Sequence, residues 1–271
     1  MKKLLKFTIF VAVVYVFLYV NNHWLVTTEL VHESEKIPSS FDGYRIVQIS
    51  DLHDATFGGN QAHLVEKVRK SKPDVIFLTG DLVDSRRYDL QNSLQAVEQF
   101  VEIADVYYVL GNHEVALNKV NEIYATLREL GVHVLSNDAM VVERDGERIA
   151  ILGIEDPLMG KAVDVSIDEA MQNVDENLFT VLLSHRPEQF ETYVDKEMDL
   201  VFTGHAHGGQ IRLPLIGGLV APTQGLLPKY SAGIFNKNDS KMIISRGLGN
   251  SLFPFRIFNL PEVIVVELNS K

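Results

Sequence analysis

The sequence predicts an α/β (α+β) fold, in which a largely parallel sheet in the first half is followed by antiparallel strands in the second. Val75–Leu78 is an unbroken apolar run, typical of a strand that is buried on both faces of a helix-covered parallel sheet. Strand-like and helix-like segments alternate from residue 43 to residue 130, which favours parallel pairing. Further on, Asp145-Gly146 between two apolar segments predicts a hairpin, and therefore antiparallel pairing.

Each predicted strand in the first half leads into a predicted helix. The helices have apolar residues at three- and four-residue spacing among charged ones, and Pro73 closes the first of them. The strands are short apolar runs that end at glycine or at polar residues. In chain order, the strands are predicted at Tyr44–Ser50, Val75–Leu78 and Val106–Leu110, and the helices at Asn60–Lys72, Leu90–Ala104 and Asn118–Leu130.

The second half contains further predicted strands and one long segment of unusual composition. The strands are predicted at Met140–Glu143, Arg148–Gly153, Leu178–Leu183, Leu200–Thr203, Lys241–Ser245 and Glu262–Leu268. The segment from His207 to Ser231 is rich in Gly, Pro and Leu, and it is too apolar for an ordinary surface loop. Two interpretations of Ile211–Leu227 stay open: buried core, or an apolar lip beside a functional site that contacts a bilayer or a lipid tail.

The N-terminus is predicted to be a membrane anchor that covers residues 1–26. Lysines at positions 2, 3 and 6 precede the apolar run Phe7–Val20. The run alone is short for a span, which needs roughly 17–25 residues, but Leu4, Leu5 and the interfacial residues Trp24–Val26 extend it. Lysines on the leading side place the N-terminus in the cytoplasm and the rest of the chain outside. The alternative is a signal peptide that is cleaved to release a secreted protein, although no small-residue cleavage pattern follows the run.

Two regions are expected after the anchor. Residues 27–42 are polar and lack a clear period, so they are expected to form a juxtamembrane tether. Residues 43–271 are expected to form one globular domain.

Composition and charge limit the function classes. The chain has 271 residues, of which 46% are hydrophobic, enough for a sizeable core. Its formal net charge of −11 argues against a general nucleic-acid binder, because such proteins are usually basic. The absence of cysteine excludes thiolate zinc sites, a cysteine nucleophile and disulfides.

Residue types that bind metals follow five of the predicted strands. Ligands of open α/β sheets gather at the carboxyl ends of strands, so these side chains are expected to lie together. Singly, each has an ordinary explanation, such as a helix cap for Asp81 or a turn for Asn112. Together they supply carboxylates, imidazoles and one amide, a set that suits divalent Mn, Fe or Zn. The residues are Asp51, His53, Asp81, Asn112, His113, His185, His205 and His207.

Five short motifs resemble, in the same order, those of the calcineurin-like metallophosphoesterases. They are DLH at 51–53, GDLVD at 80–84, GNHE at 111–114, SH at 184–185 and GHAH at 204–207. One departure is Ala206, where Thr or Ser is common, but that side chain is not a ligand. The anchor and the segment SRGLGNS at 245–251 are similar to the bacterial branch with membrane-anchored or exported members, of the YkuE and YaeI type.

The resemblance implies a fold and a dinuclear metal site. The fold has four layers, a two-sheet β-sandwich flanked by helices. Two divalent metal ions per chain are implied, Mn, Fe or Zn, with Mn favoured. One ion would be held by Asp51, His53, Asp81 and His207, and the other by Asp81, Asn112, His185 and His205. Asp81 would bridge the two, His113 would be a catalytic residue near the phosphate, and Asp84 would orient His113.

The activity that the resemblance implies is hydrolysis of a phosphoester by hydroxide that the metal pair generates, with His113 assisting the leaving group. The anchor and the apolar segment favour a phosphodiester or pyrophosphate of a lipid-linked or envelope substrate. A relative in the same branch hydrolyses the pyrophosphate of UDP-2,3-diacylglucosamine. A general phosphomonoesterase or a nuclease is the alternative, although the acidic charge makes nucleic acid an unfavourable partner. A non-catalytic scaffold is least expected because no motif residue is missing, and no protein partner is implied.

Overall fold

Two six-stranded sheets pack face to face and carry helices on their outer faces, in a computed structural model that describes residues 1–251 and 253–271. The first part of the chain contains α1 (Lys2–His23), β1 (Val26–Ser34), β2 (Tyr44–Ile49), α2 (Ala62–Lys70), β3 (Val75–Thr79), α3 (Leu90–Phe100), β4 (Asp105–Val109), α4 (Asn112–Ala116), α5 (Val120–Glu129) and β5 (His133–Val134). The second part contains β6 (Asp138–Arg144), β7 (Glu147–Gly153), α6 (Val163–Met171), β8 (Phe179–Leu183), α7 (Phe190–Asp195), β9 (Leu200–Thr203), β10 (Arg212–Leu213), β11 (Gly217–Gly218), β12 (Val220–Ala221), β13 (Gly225–Leu226), β14 (Gly233–Lys237), β15 (Ser240–Ile244) and β16 (Glu262–Ser270).

The two sheets have different pairing patterns. The first has the order β1-β16-β2-β3-β4-β5, with parallel pairing throughout except between β16 and β2. The second has the order β14-β15-β9-β8-β7-β6, with an antiparallel strand at each edge of a parallel centre. The mixed fold class and the two-sheet arrangement with flanking helices confirm the predicted architecture. Because the central strands are parallel, their carboxyl ends lie along one edge of each sheet.

Three apolar clusters hold the layers together. The middle cluster lies between the sheets and includes Phe77 of β3, Phe179 of β8 and Phe202 of β9, all fully buried. One outer cluster packs α2, α3 and α5 against the first sheet, and the other packs α6 and α7 against the second. Strands with an apolar cluster on each face must be apolar at every position, which is why the sequence of β3 reads as an unbroken run.

The structure corrects the prediction for residues 27–42. They are not a tether, because Val26–Ser34 forms β1, which pairs in parallel with β16 along its whole length. Ile37 and Phe41 then enter the cluster between the sheets, where both are buried. The folded domain therefore begins at Val26 rather than at residue 43, and two residues separate it from the end of α1.

Helix α1 projects from this domain. It has 22 residues and is apolar enough to cross a membrane, and nearly all of it is exposed. Its last two turns are the part that contacts the domain, with Asn21 buried and Phe17, Leu18 and Asn22 partly buried. The remaining turns have no protein around them among the described residues, as expected of a segment whose partner is lipid.

The segment Ile211–Leu227 is not buried core. It folds into two small antiparallel hairpins, β10 with β11 and β12 with β13. Leu215 is fully exposed at the tip of the first, and Leu226 and Leu227 are exposed in and after the second. The exposed leucines agree with an apolar lip rather than with buried core, and contact of this lip with a bilayer or a lipid tail stays a prediction.

We expect His32 to make the stability of the domain depend on pH. The imidazole is 5% exposed, and neither ring nitrogen has a hydrogen-bond partner among the described residues. Burial, together with Lys241 and Lys271, lowers the pKa of His32 to about 4. The unfolded chain binds a proton at His32 at higher pH than the folded chain does. The contribution of neutral, buried His32 to the stability of the fold is therefore full above the ordinary pKa of about 6.5 and is lost as the pH falls toward 4.

The measurement is urea unfolding of the whole protein in detergent at several pH values. Between neutral pH and the acid limit, the free energy of unfolding of wild type should fall by about 2–3 kcal/mol more than that of His32→Phe. His63→Phe, on the exposed face of α2, should keep the wild-type dependence. Equal pH slopes in wild type and His32→Phe would mean that this imidazole does not contribute.

Candidate metal centre

The predicted ligands lie where the carboxyl ends of the two sheets meet. Asp51 follows β2, Asp81 follows β3, and Asn112 follows β4 in the first sheet. His185 follows β8 and His205 follows β9 in the second. The site is therefore built by five strand ends, and its position depends on the packing of one sheet on the other.

The backbone at this edge is strained in a consistent way. Five of the predicted ligands have positive φ angles, which non-glycine residues rarely adopt: Asp51 (51°), His53 (49°), Asp81 (51°), His205 (64°) and His207 (48°). Such strain is typical of functional sites, where the surrounding structure holds residues in place. The sharp turns let each strand end and aim its next polar side chain back into the cleft.

Two glycines of the motifs are required by close approach. A Cβ atom at Gly204 would lie 1.9 Å from Ser50 Oγ and 2.4 Å from Asp51 Oδ2. One at Gly111 would lie 2.3 Å from Asp81 Oδ1. Because Gly204 and Gly111 have no side chain, the loop that carries each of them can pack directly against an aspartate of a neighbouring loop.

A first cluster consists of Asp51, His53, Asp81 and His207, whose candidate ligand atoms lie within 4.8 Å of one another. His53 Nε2 is 3.1 Å from His207 Nε2 and 3.5 Å from Asp81 Oδ2. His207 Nε2 is 3.4 Å from Asp51 Oδ1. These are the four residues that the resemblance implied for one metal ion, and all four are buried.

A second cluster consists of Asp81, His185 and His205 and shares its carboxylate with the first. His185 Nε2 is 3.2 Å from Asp81 Oδ2. The Nδ1–H of His185 donates to the Thr79 carbonyl at 2.8 Å, which fixes the ring with Nε2 facing the Asp81 carboxylate, the position from which it could bind a metal ion. Asp81 is therefore placed where one carboxylate can serve two cations.

The donor set fits a metal pair. Asn112 Oδ1 and His185 Nε2 are buried and have no hydrogen-bond partner among the described residues. Buried polar atoms are normally satisfied, and Asn112 stands between Gly111 and His113, which both contact Asp81, so its free amide oxygen fits a cation at this carboxylate. Oxygen and imidazole donors of this kind suit divalent Mn, Fe or Zn.

The protonation pattern also reflects a site that attracts positive charge. Burial lowers the pKa of His53, His205 and His207. At His185 the Asp81 carboxylate outweighs burial and raises the pKa to about 10. His185 and His53 in turn hold the pKa of the buried Asp81 well below its usual range. A proton thus stands where a metal ligand bond would form, as expected when ligands exchange protons for metal.

His113 lies beside the first cluster, and the edge of its ring faces His53 at a centroid distance of 4.5 Å. The Ser85 backbone N–H donates to His113 Nδ1 at 3.0 Å. Nδ1 is therefore unprotonated in the neutral ring, and Nε2–H donates to Ser251 Oγ at 3.1 Å. The imidazole presents a fixed N–H donor to the cleft.

Asp84 lies close to His113, in a group with His53 whose candidate ligand atoms are within 4.8 Å of one another, but its hydrogen bonds go to the backbone and to Arg87. Its carboxylate accepts from the backbone N–H groups of Arg86 and Arg87 and from the Arg87 guanidinium at 2.8 Å. These bonds fix the turn that carries Ser85. Ser85 and Ser251 make the hydrogen bonds to the ring, and the orienting role of Asp84 stays a prediction.

Three buried charged residues near the site were missed by sequence reasoning. Asp156 binds the Arg186 guanidinium with both carboxylate oxygens, at 2.5 and 2.9 Å, and Arg186 Nη1 lies 2.8 Å from His205 Nε2. This places a fixed positive charge at the edge of the second cluster. The position of Arg186 directly after His185 was the available signal.

Glu114 is the third missed residue, and it joins two of the ligand loops. Its carboxylate accepts from the backbone N–H groups of Asp81, Leu82, Val83 and Gly111. Burial and the Asp81 charge raise the pKa of Glu114 to about 7, while the backbone donors lower it. Glu114, the last residue of the GNHE motif, thus sets the position of Asp81 relative to Asn112.

An apolar cavity of about 640 Å³ opens beside the first cluster. Its wall runs from the predicted ligand His207 to Ser251, which contacts His113. The rest of the lining comes mostly from the apolar lip, with Leu219, Val220, Leu226 and Leu227 among it. The apolar cavity therefore lies directly beside the polar cleft that holds the predicted ligands.

Comparison with known proteins agrees with this site. The family model for calcineurin-like phosphoesterases matches residues 44–209. The chain is 30% identical over 260 residues to the uncharacterized metallophosphoesterase YkuE of Bacillus subtilis, covering 93% of this chain and 88% of YkuE. It is 30% identical over 233 residues to the phosphodiesterase YaeI of Escherichia coli, covering 83% and 82% of the two chains.

Among solved structures, the NAD nucleotidase NadN of Haemophilus influenzae has a similar fold. The TM-score is 0.50 at 19% identity, over 76% of this chain and 45% of that chain. At this identity the likeness concerns the fold alone.

Asp81→Asn should remove both metals rather than one. A neutral amide cannot balance two cations, so metal content after purification should fall from two ions per chain to near none. Asp199→Asn is the matched control, because Asp199 is a buried aspartate whose carboxylate binds Thr180 and Lys36 and none of the cluster residues. Elemental analysis that found two ions in Asp81→Asn would contradict the shared position of this carboxylate.

Proposed function

The chain belongs to the calcineurin-like phosphoesterase family and is a metal-dependent phosphohydrolase, and from that premise we propose that it hydrolyses a phosphodiester or pyrophosphate bond of a lipid-linked envelope substrate. The observation that carries the substrate class is the apolar cavity beside the metal ligands. A phosphoester in the cleft would place an attached apolar chain against Leu226 and Leu227. Apolar pockets with a few polar groups at one end are typical of ligand sites.

The ligand assignment in this proposal follows the two clusters. One ion would be held by Asp51, His53, Asp81 and His207, and the other by Asp81, Asn112, His185 and His205. When bound, two such ions stabilise charge on phosphoryl oxygens and lower the pKa of a water. We take the ions to be Mn, Fe or Zn, with Mn favoured.

His113 would assist the leaving group. Its Nε2–H points into the cleft and is held by Ser251 Oγ, a hydroxyl that the leaving oxygen of a substrate can replace. The Ser85 N–H on Nδ1 keeps the proton on Nε2, so the donor is set before the substrate arrives. The His113 backbone N–H donates to Asp81 Oδ1 at 2.8 Å, which ties the donor to the shared carboxylate.

We further propose that α1 is a retained anchor and that the domain lies outside the cytoplasmic membrane. Lys2, Lys3 and Lys6 precede the span, and positive residues favour the cytoplasmic side. Asn22 Oδ1 accepts from Asn250 Nδ2 at 2.7 Å and from the Arg256 backbone at 3.1 Å. Contacts between the helix end and the domain support retention over cleavage.

His113→Ala should lower the maximal rate by roughly 10²–10⁴-fold, the usual contribution of general acid–base catalysis. Metal content should stay at the wild-type level because His113 belongs to neither ligand set. The loss should be smaller for substrates with good leaving groups, which need less assistance. His63→Ala, exposed on α2, is the control. Loss of metal together with activity would make His113 a ligand instead.

Leu226→Ser with Leu227→Ser should lower the preference for acylated substrates. The test compares kcat/KM for a phosphodiester that carries one short acyl chain, used as a monomer, with kcat/KM for an unacylated phosphodiester. The ratio should fall because the cavity wall becomes polar. Leu215→Ser is the matched control, since Leu215 is exposed on the neighbouring hairpin and does not line the cavity. An unchanged ratio in the double variant would contradict the proposed role of the cavity.

A further inference from the structure

A second apolar surface lies next to α1, in the segment 253–258, which is called the aromatic loop here. Phe253, Phe255 and Phe258 are 43%, 43% and 58% exposed. The first two rings meet edge to face at a centroid distance of 6.2 Å. Three exposed phenylalanines in six residues are unusual for a surface in water, and such patches mark interaction sites.

The aromatic loop is fastened to the end of α1. The ring of Phe258 meets that of Phe17 edge to face at a centroid distance of 5.2 Å. Phe255 and the α1 residues Tyr15 and Leu18 line one groove of about 680 Å³ between helix and domain. With the Asn22 hydrogen bonds to Asn250 and Arg256, these contacts fix the loop relative to the helix axis.

These contacts determine the depth of the loop if α1 spans a bilayer. The apolar run of α1 ends at Val20, and Phe17 lies three residues before that end. At a rise of about 1.5 Å per residue, Phe17 is roughly 4–5 Å inside the apolar boundary. A ring that touches Phe17 must lie at a similar depth, so Phe258 would be below the membrane surface.

The loop is held rigidly rather than packed loosely against the helix. Phe258 has a φ of 52°, which is rare for a bulky residue and has to be enforced by its surroundings. Arg256 is fully buried and donates to the carbonyls of Arg246 and Gly249. Asn259 Nδ2 donates to the His207 carbonyl at 2.7 Å. The exposed rings therefore project from a backbone that is tied to the metal centre.

The other side of the aromatic loop borders the apolar cavity. Phe253 lines that cavity together with Leu226 and Leu227. The Gln210 side chain donates to the carbonyls of Phe253 and Phe255. The apolar surface is thus continuous from α1, across the loop, to the cavity beside His207.

We propose that the aromatic loop inserts into the bilayer leaflet beside α1, as a second membrane contact that seats the domain with its apolar cavity open to the lipid surface. A lipid-linked substrate then reaches the cleft from the plane of the membrane, without leaving the bilayer for water. The partner of this surface is the lipid bilayer, because the loop is continuous with the membrane helix itself. The inference rests on the proposed anchoring and deepens the proposed function.

The test measures the depth of single tryptophans in the full-length protein in phospholipid vesicles. Trp24 is the one native tryptophan, so Trp24→Phe gives a silent background. Into it are placed Phe255→Trp, Phe258→Trp, a probe of the helix at Phe10→Trp and a control at Val141→Trp on the exposed edge strand β6. Fluorescence is compared in ordinary lipids and in lipids with brominated acyl chains, which quench tryptophan on contact.

Both loop probes should lose emission in brominated lipid and shift to shorter wavelength, as Phe10→Trp does, while Val141→Trp does neither. Quenching of Phe10→Trp without quenching of either loop probe would overturn the second contact and leave the anchor intact. An unquenched Phe10→Trp would overturn the anchor, and the loop depth with it. Turnover of a soluble phosphodiester by each variant reports the catalytic proposal separately and confirms that the variants are folded.

Discussion

The structure depends on the placement of one buried carboxylate. Asp81 is 1% exposed, and a lone charge at that depth would be strongly destabilising. His53 and His185 lie against this carboxylate and offset its charge, and two cations would do so in the proposed metal site. The surrounding features serve this geometry: left-handed turns at the strand ends, the glycines before Asp81, Asn112 and His205, and Glu114, which accepts from the N–H groups of the Asp81 loop. Each of them has a cost that the fold alone would not require.

Most of the site could be predicted from the sequence because its residues follow strand ends in short motifs. An apolar run such as Val75–Leu78 predicts a buried strand even when its pairing strand is not known. The residue after such a run is expected at the edge of the sheet where the strands end. Asp84 shows the limit of prediction from motifs, since a motif does not specify which hydrogen bonds a carboxylate makes. Arg186 and Asp156 are close only because two loops meet in space.

Strand β1 was not predicted from the sequence, for a different reason. It is an edge strand, so one of its sides is open to water and its sequence carries few buried positions. Its pairing partner is β16, with Val26 opposite Glu262 and Ser34 opposite Ser270, and no local pattern reveals so distant a pairing. The apolar lip was ambiguous for a related reason: an apolar residue predicts burial, and whether protein or lipid provides it depends on neighbours that the sequence does not specify.

The pairing of β1 with β16 has a consequence for biosynthesis. β1 is synthesised long before β16, because the two strands lie at residues 26–34 and 262–270. The first sheet cannot be completed until the two meet, because β1 is at its edge and β16 separates it from β2. The first sheet must therefore stay incomplete until β16 has been made. Once β16 pairs with β1, the sheet closes two residues after the end of α1, so the last strand of the domain fixes the segment that follows this helix.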